Sequence, residues 1–213
     1  MEKINMYYFW NDAHQIFLDE YFMPTFNKHH NPDEINLIGK KINSVTENCL
    51  FGTFEYKQLL TERIGYLIDL IEGVEKGKFF IFCDVDVQFF GSIKPAISLM
   101  MKGDFDIVFQ KEDKRAKNVN FGVMLIQAND SSLNFYKEIY KRLTSPTCPV
   151  GSNDQLEGNQ LLHMIDYSTF DKTIWNWSQG ELNKEVILHH ANCVSNIEKK
   201  IEQLEEVKRF VLN

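Results

Sequence analysis

The stretch Lys78-Phe79-Phe80-Ile81-Phe82-Cys83-Asp84-Val85-Asp86-Val87-Gln88-Phe89-Phe90 constrains this chain more than any other. The five apolar residues Phe79 to Cys83 are too few to span a membrane, and they read as a strand buried on both faces inside a sheet. Asp84 and Asp86 follow at its carboxyl end, the edge where open α/β sheets collect ligands. In extended chain both carboxylates point the same way and Val85 turns back into the protein. Such a pair at a dry strand end repels itself, and a divalent cation with oxygen ligands relieves the repulsion. The plain alternative is an acidic turn after a core strand.

The surrounding chain has 213 residues, enough for one domain with a full core. Its net charge of −7 and its lack of a long basic run argue against a nucleic-acid surface. Cysteines at 49, 83, 148 and 193 have neither metal-site spacing nor the density of a disulfide scaffold, so a reduced, cytoplasmic state is expected. Neither a signal-peptide run at the amino terminus nor a membrane span is visible. The helical pattern from Ile197 to Leu212 runs to the last residues, which fits a complete domain or the N-terminal piece of a longer protein.

Taken in order, Lys3 to Phe9 reads as a strand, and Asn11 or Asp12 caps a helix reaching about Phe26. Glu34 to Gly39 is a second short strand. Tyr56 to Ile71 carries Leu59, Leu60, Ile64, Leu67, Ile68 and Ile71 at helical spacing and ends at Gly73. Strand, helix, strand, helix, strand predicts an α/β, Rossmann-like fold with a central sheet flanked by helices. No G-x-G-x-x-G opens the first helix, so a dinucleotide fingerprint is absent. Ser92 to Met101 reads as a helix and Phe105 to Gln110 as a strand. Lys111 to Lys117 is a charged loop, either solvated or a lid over an anionic ligand. Asn120-Phe121-Gly122 leads into the strand Val123 to Ile126, where the glycine marks close approach of a ligand or a bulge. Leu133 to Leu143 is a helix capped by Asn129 or Asp130. A further helix opens at 151–155 and runs to about Ile165, with Ser152 and Gln155 spaced as a capping box. Val186 to Leu188 is a late strand that ends in His189-His190, of which only one faces a given side. Ser195 and Glu198 form a second capping box, before the final helix.

With these segments in place, the chain resembles the nucleotide-diphospho-sugar glycosyltransferases of the GT-A fold. The likeness runs from the first strand to the last helix. It is nearest the retaining branch of lipooligosaccharide galactosyltransferases and glycogenin-like enzymes, and it extends to small transferase domains of large algal DNA viruses. Asp84-Val85-Asp86 matches the D-x-D that holds manganese on the donor diphosphate. Asn120-Phe121-Gly122-Val123-Met124 matches the strand beside the donor sugar, and Asn153-Asp154-Gln155 the helix start near the anomeric carbon. His190-Ala191-Asn192 with Lys200 matches the late histidine of the metal shell and the lysine on the phosphates. Arg63 sits where such transferases carry a basic residue facing the donor. The family's glycine near Asn196 is missing, and the 111–117 loop matches no family pattern, so acceptor binding is not carried over.

The resemblance implies a single GT-A domain over 1–213, with a nucleotide-binding part at about 1–110 and an acceptor-side part at about 111–213. It implies transfer of a hexose or deoxyhexose from a UDP-sugar to a glycan or glycoprotein acceptor. Mn2+, or alternatively Mg2+, would be held by Asp84, Asp86 and His190, with His190 favoured over His189. Lys200 would meet the phosphates. Asp84 would contact the ribose as well as the metal, Val85 between the two acids would belong to the cofactor-binding residues, and Asn120 and Gly122 would lie beside the sugar. Phe9, Trp10 and Asn11, at the end of the first strand, are a candidate base pocket in which an aromatic stacks on uracil, with core packing of the two rings as the alternative. Asp154 and Gln155 would act at the anomeric carbon, with retention by front-face attack because no second carboxylate stands out as a nucleophile. A haloacid-dehalogenase-type phosphatase also places D-x-D after a strand. It would need Thr or Val where Gln88 stands, and a later G-D-x-x-x-D that this chain lacks. A non-catalytic sugar-nucleotide-binding domain would share nearly all of these residues.

Overall fold

The computed structural model describes residues 3–42, 52–113, 118–194 and 196–213. Strand β1 (Ile4–Trp10) leads into a 3-10 turn over Asp12–His14. Helix α1 (Gln15–Phe17), a π turn over Leu18–Phe22 and α2 (Met23–His29) continue it, past the expected end at Phe26. Next come β2 (Ile35–Lys41), α3 (Phe54–Gly73), β3 (Phe79–Cys83), β4 (Val87–Phe89) and α4 (Lys94–Met100). The second half holds β5 (Ile107–Lys111), β6 (Val119–Gln127), α5 (Asp130–Thr144) and α6 (Asp154–Leu161). Strands β7 (Tyr167–Thr169), β8 (Ile174–Asn176) and β9 (Leu188–His190) precede α7 (Ile197–Leu212).

Six strands form a mixed sheet in the order β2-β1-β3-β6-β5-β7. β3 runs parallel to β1 and antiparallel to β6. Period-two geometry decides how its residues divide. Phe80 and Phe82 enter the core shared with α3 and α5, while Ile81 and Cys83 enter the opposite core with Phe17 and Phe22. All four of these β3 residues have no accessible surface, as a strand buried on both faces requires.

A second sheet, β4-β9-β8, was not anticipated. Its three-residue strands are too short to show a period, and Val87–Phe89 read only as an apolar continuation. The late strand lies two residues beyond its expected place, so His189 and His190 are within it, opposite Gln88 and Val87. Both expected capping boxes are also corrected. Asn153 caps α6 by accepting from the Leu156 amide at 2.7 Å, while Ser152 Oγ binds Glu157 and Gln155 turns toward Phe121. Asn196 caps α7 through the Lys199 amide at 2.9 Å, and Ser195 lies outside the described residues. An asparagine in extended backbone is as good a cap as serine, and here it stands one residue closer to the helix. Where alternatives were open, Asn11 and Asn129 are the caps.

Candidate active site

The D-x-D segment is pinned between the two sheets. The Asp84 amide donates to Gly122 O at 2.7 Å on the large sheet, and the Ala191 amide donates to Asp86 O at 2.9 Å on the small one. Val85 points into the core, as period two demands, and both carboxylates face His190. Its Nε2 lies 3.5 Å from Asp86 Oδ1 and 4.0 Å from Asp84 Oδ2. One ligand atom from each of the three residues falls within 4.8 Å of the others. His189 turns away, with Nδ1 3.0 Å from Gln88 Nε2 and its ring against Trp175.

Two cations hold the acidic pair. Arg63, rising from α3, places Nη1 2.8 Å from Asp84 Oδ1, while Nη2 and Nε reach Asp154 Oδ2 at 2.5 and 2.9 Å. Its planar fork suits two carboxylates at once. The guanidinium that was expected to face the donor thus organises the acids around it. Lys200, from the first turn of α7, sets its ammonium on Asp86 Oδ2. Burial pushes both aspartates up, but Lys200 and His190 outweigh it at Asp86 and hold that carboxyl well below the usual range. At Asp84 burial prevails over Arg63, with the neighbouring Asp86 charge adding to it, and the net direction is upward.

Two further contacts shape the imidazole. Gln110 Oε1 lies 2.9 Å from His190 Nδ1, which fixes the ring plane and leaves Nε2 as the ring atom facing the carboxylates. Gly122 makes room for the ring, since a Cβ there would come within 2.2 Å of His190 Cε1. The close approach expected at this glycine is made by a side chain of the protein itself. The glycine also lies where β5 pairing skips from Met124 to Asn120, so the bulge is present too. Asn120 Oδ1 accepts from the Gly122 amide at 2.8 Å, and its Nδ2 donates to Glu112 at 2.6 Å. Asp154 Oδ1 accepts from the Gln155 amide at 2.8 Å, and Gln155 Oε1 accepts from the Phe121 amide at 3.3 Å.

A cavity of about 590 Å³ opens over these groups. Arg63, Asp84, Asp86, Asn120, Gly122, Asp154, Gln155, His190 and Lys200 all line it. Phe9, Trp10 and Asn11 do not. Phe9 packs on Phe82 in the core, and Trp10 stacks on Tyr8 with Nε1 donating to Gln15. Asn11 binds His14, and its buried Nδ2 has no partner among the described residues. Of the charged loop, Lys114, Arg115 and Lys117 lie outside the described residues. Gln110, Glu112, Tyr56 and Cys193 were missed. Glu112, Tyr56 and Cys193 line the cavity, and Gln110 stands behind His190. The one sequence signal among them was Gln110, a polar residue ending an apolar strand.

Two carboxylates and an imidazole, converging at a strand end, make a donor set suited to a hard divalent cation. The family model for nucleotide-diphospho-sugar transferases matches residues 17–204. No curated protein matches by sequence. Among solved structures, the chain is similar to a glycosyltransferase involved in glycosylation of the major capsid of PBCV-1 (TM-score 0.67, 15% identity, covering 96% of this chain and 100% of that one). It is similar to the glycosyltransferase GlyE of Streptococcus pneumoniae TIGR4 (0.61, 11%, 100% and 64%). It is also similar to the galactosyltransferase LgtC in complex with donor and acceptor sugar analogues (0.54, 12%, 98% and 95%). At such identities the likeness is one of fold. With the family match over most of its length, this chain belongs to the nucleotide-diphospho-sugar transferases and is a glycosyltransferase of the GT-A fold.

Proposed function

We propose that the protein moves a hexosyl or deoxyhexosyl group from a UDP-sugar to a hydroxyl of a glycan or glycoprotein acceptor, with retention of configuration. The observation that carries this is the convergence of Asp84, Asp86 and His190 beside Lys200 on a cavity that Asn120 and Asp154 also line. Asp84, Asp86 and His190 would hold Mn2+, or Mg2+ in its place, and the cation would neutralise the diphosphate as a Lewis acid. The residues of about 1–110 serve the nucleotide and those of 111–213 the acceptor side, although His190 and Lys200 reach back to the phosphates. The three described cysteines are free, in keeping with a cytoplasmic setting. Among the described residues no helix is long and apolar enough to cross a membrane.

Lys200 supplies a point charge to the departing diphosphate. Asp154 accepts hydrogen bonds from donor hydroxyls. Both of its oxygens are engaged, Oδ2 by Arg63 and Oδ1 by the Gln155 amide, so it is poorly placed as a nucleophile. This favours front-face attack. The bond from the anomeric carbon to the diphosphate breaks with its electron pair on the diphosphate. The acceptor oxygen bonds to the same face and passes its proton to the leaving phosphate oxygen.

Calorimetric titration of UDP, with manganese and then with EDTA, tests the reading. The expected result is metal-dependent binding of roughly −7 to −8 kcal/mol, lost in Asp86→Ala. Slow hydrolysis of a UDP-sugar to the retained anomer, also lost in Asp86→Ala, would separate an enzyme from a binding domain. Absence of binding to UDP, GDP and dTDP in folded protein would overturn it.

A further inference from the structure

We infer that Lys200 occupies the cation position of the nucleotide-free protein, so that a divalent cation enters as its complex with a nucleoside diphosphate rather than alone. The inference rests on the metal–nucleotide reading above and concerns the form in which the ligand arrives. Asp86 is 5% exposed, and a carboxylate taken so far from water needs a counter-charge at all times. Lys200 provides it at Oδ2, while Oδ1 of the same group faces the His190 Nε2. Asp84 is satisfied separately, by both of its oxygens on Arg63 Nη1. A bare dication approaching this site meets acids that are already paired, with an ammonium on an oxygen it needs. To bind, it must expel Lys200 toward water and overcome the repulsion that remains between the two cations.

A cation carrying a diphosphate changes that balance. The ammonium leaves Asp86 for a phosphate oxygen, and neither charge is stranded during the exchange. The fold permits this motion in the side chain alone. The backbone of Lys200 is held in the first turn of α7, its amide donating to Asn196 O at 3.3 Å. Its side chain is 22% exposed, against 7% for its carboxylate partner, and it ends in a flexible four-carbon stem. Arg63 has no such freedom. Its side chain is 7% exposed and its fork is tied to two acids, so it stays with Asp84 and Asp154 in either state.

The test counts free Mn2+ by its aqueous electron paramagnetic resonance signal while the ion is titrated into folded protein, with and without UDP, after subtracting the Mn2+ that the same UDP binds in protein-free solution. In the wild type, UDP is expected to tighten Mn2+ binding at least about tenfold. In Lys200→Met the bare ion binds about tenfold tighter than in the wild type, while Mn2+ with UDP binds more weakly, so the coupling between the two ligands collapses. Lys200→Arg, which keeps the charge, leaves bare Mn2+ binding weak. Unchanged or weaker bare-ion binding in Lys200→Met overturns the inference, as does an equal gain in Lys200→Arg. If Lys200→Met does not fold, the wild-type titration decides alone, and equal Mn2+ affinity with and without UDP overturns the inference. If the wild type binds no Mn2+ in the presence of UDP, the metal–nucleotide reading itself fails.

Discussion

Around β3 and β6 the six-stranded sheet buries Phe80, Ile81, Phe82, Met124, Leu125 and Ile126, whereas the three-stranded sheet buries Gln88, Asn176 and His189 just as completely. The first set is apolar and its backbone is paired, by an unbroken ladder between β3 and β6 and by the stretch of β5 that precedes the register shift. Among the described residues the second leaves Gln88 Oε1 and His189 Nε2 without partners, as are Trp175 Nε1 on β8 and Gln203 Oε1 on α7, whereas the large sheet leaves one such atom, Gln110 Nε2 on β5. It has two strand pairs of three rungs each, whereas the large sheet has five pairs of three to seven rungs. The candidate metal set is divided between these unequal supports. Asp84 and the glycine that admits His190 belong to the large sheet, while Asp86 is tied to the small one and His190 is part of it. A site built this way has one rigid wall and one adaptable wall, which suits a cavity that must admit a nucleotide and release it.

The sharpest way to break the comparison is through Arg63, which ties α3 to Asp84 on the rigid wall and to Asp154 of α6. Arg63→Met leaves Asp154, at 2% exposure, without its cation. A loss of about 3–5 kcal/mol in urea unfolding is expected, because an unpaired buried charge remains. A loss under about 1 kcal/mol would mean that the rigid wall is not organised by this ion pair. Gly122→Ala acts on the rigid wall alone. Its methyl meets the His190 ring, and about 10- to 100-fold weaker Mn2+–UDP binding is expected while the fold persists. Unchanged affinity would show that β9 yields freely.

Hydrogen exchange reads the contrast directly. Paired β9 amides should exchange at least about tenfold faster than those of β3, and slow when Mn2+ and UDP are added. Equal protection in the free protein would erase the distinction.

The smallest expected effect is in acid. His30 stacks on Phe26, meets Phe89 of β4 edge-on and accepts from the Ile93 amide through Nε2 at 3.2 Å. Burial lowers its pKa, so the unfolded chain takes up the proton first. Stability is then full above about pH 6.5, the unfolded value, and declines as pH falls below it. Urea midpoints between pH 7 and 5 should fall in the wild type and fall less in His30→Gln. Equal slopes would remove His30 from the account.

Much of the large sheet was legible because its elements are long enough to repeat. Helix α3 shows its apolar face from Leu59 to Ile71, over more than three turns, and β3 is an unbroken apolar run. The small sheet was not, because three residues cannot display a period. Its presence shifted the late strand by two residues and put both histidines in register with β4. The caps at Asn153 and Asn196 escaped for a local reason, since serine and asparagine compete for one role and only the backbone angle chooses between them. Gln110 and Glu112 escaped for a tertiary one. They reach the site because β5 skips three residues of β6, which no spacing along the chain reveals.

What sequence alone determined is what depends on neighbours within a few residues. Period two aimed Asp84 and Asp86 together and kept His189 and His190 apart. Apolar repetition made the strand and helices that carry Arg63, Asp84 and Lys200. Which histidine meets the acids, which cation takes which carboxylate, and why residue 122 lacks a side chain were decided only by folding. Those facts join residues separated by 21 to 114 positions. Charge and steric contact act through space, and only the closed fold brings these groups within their range.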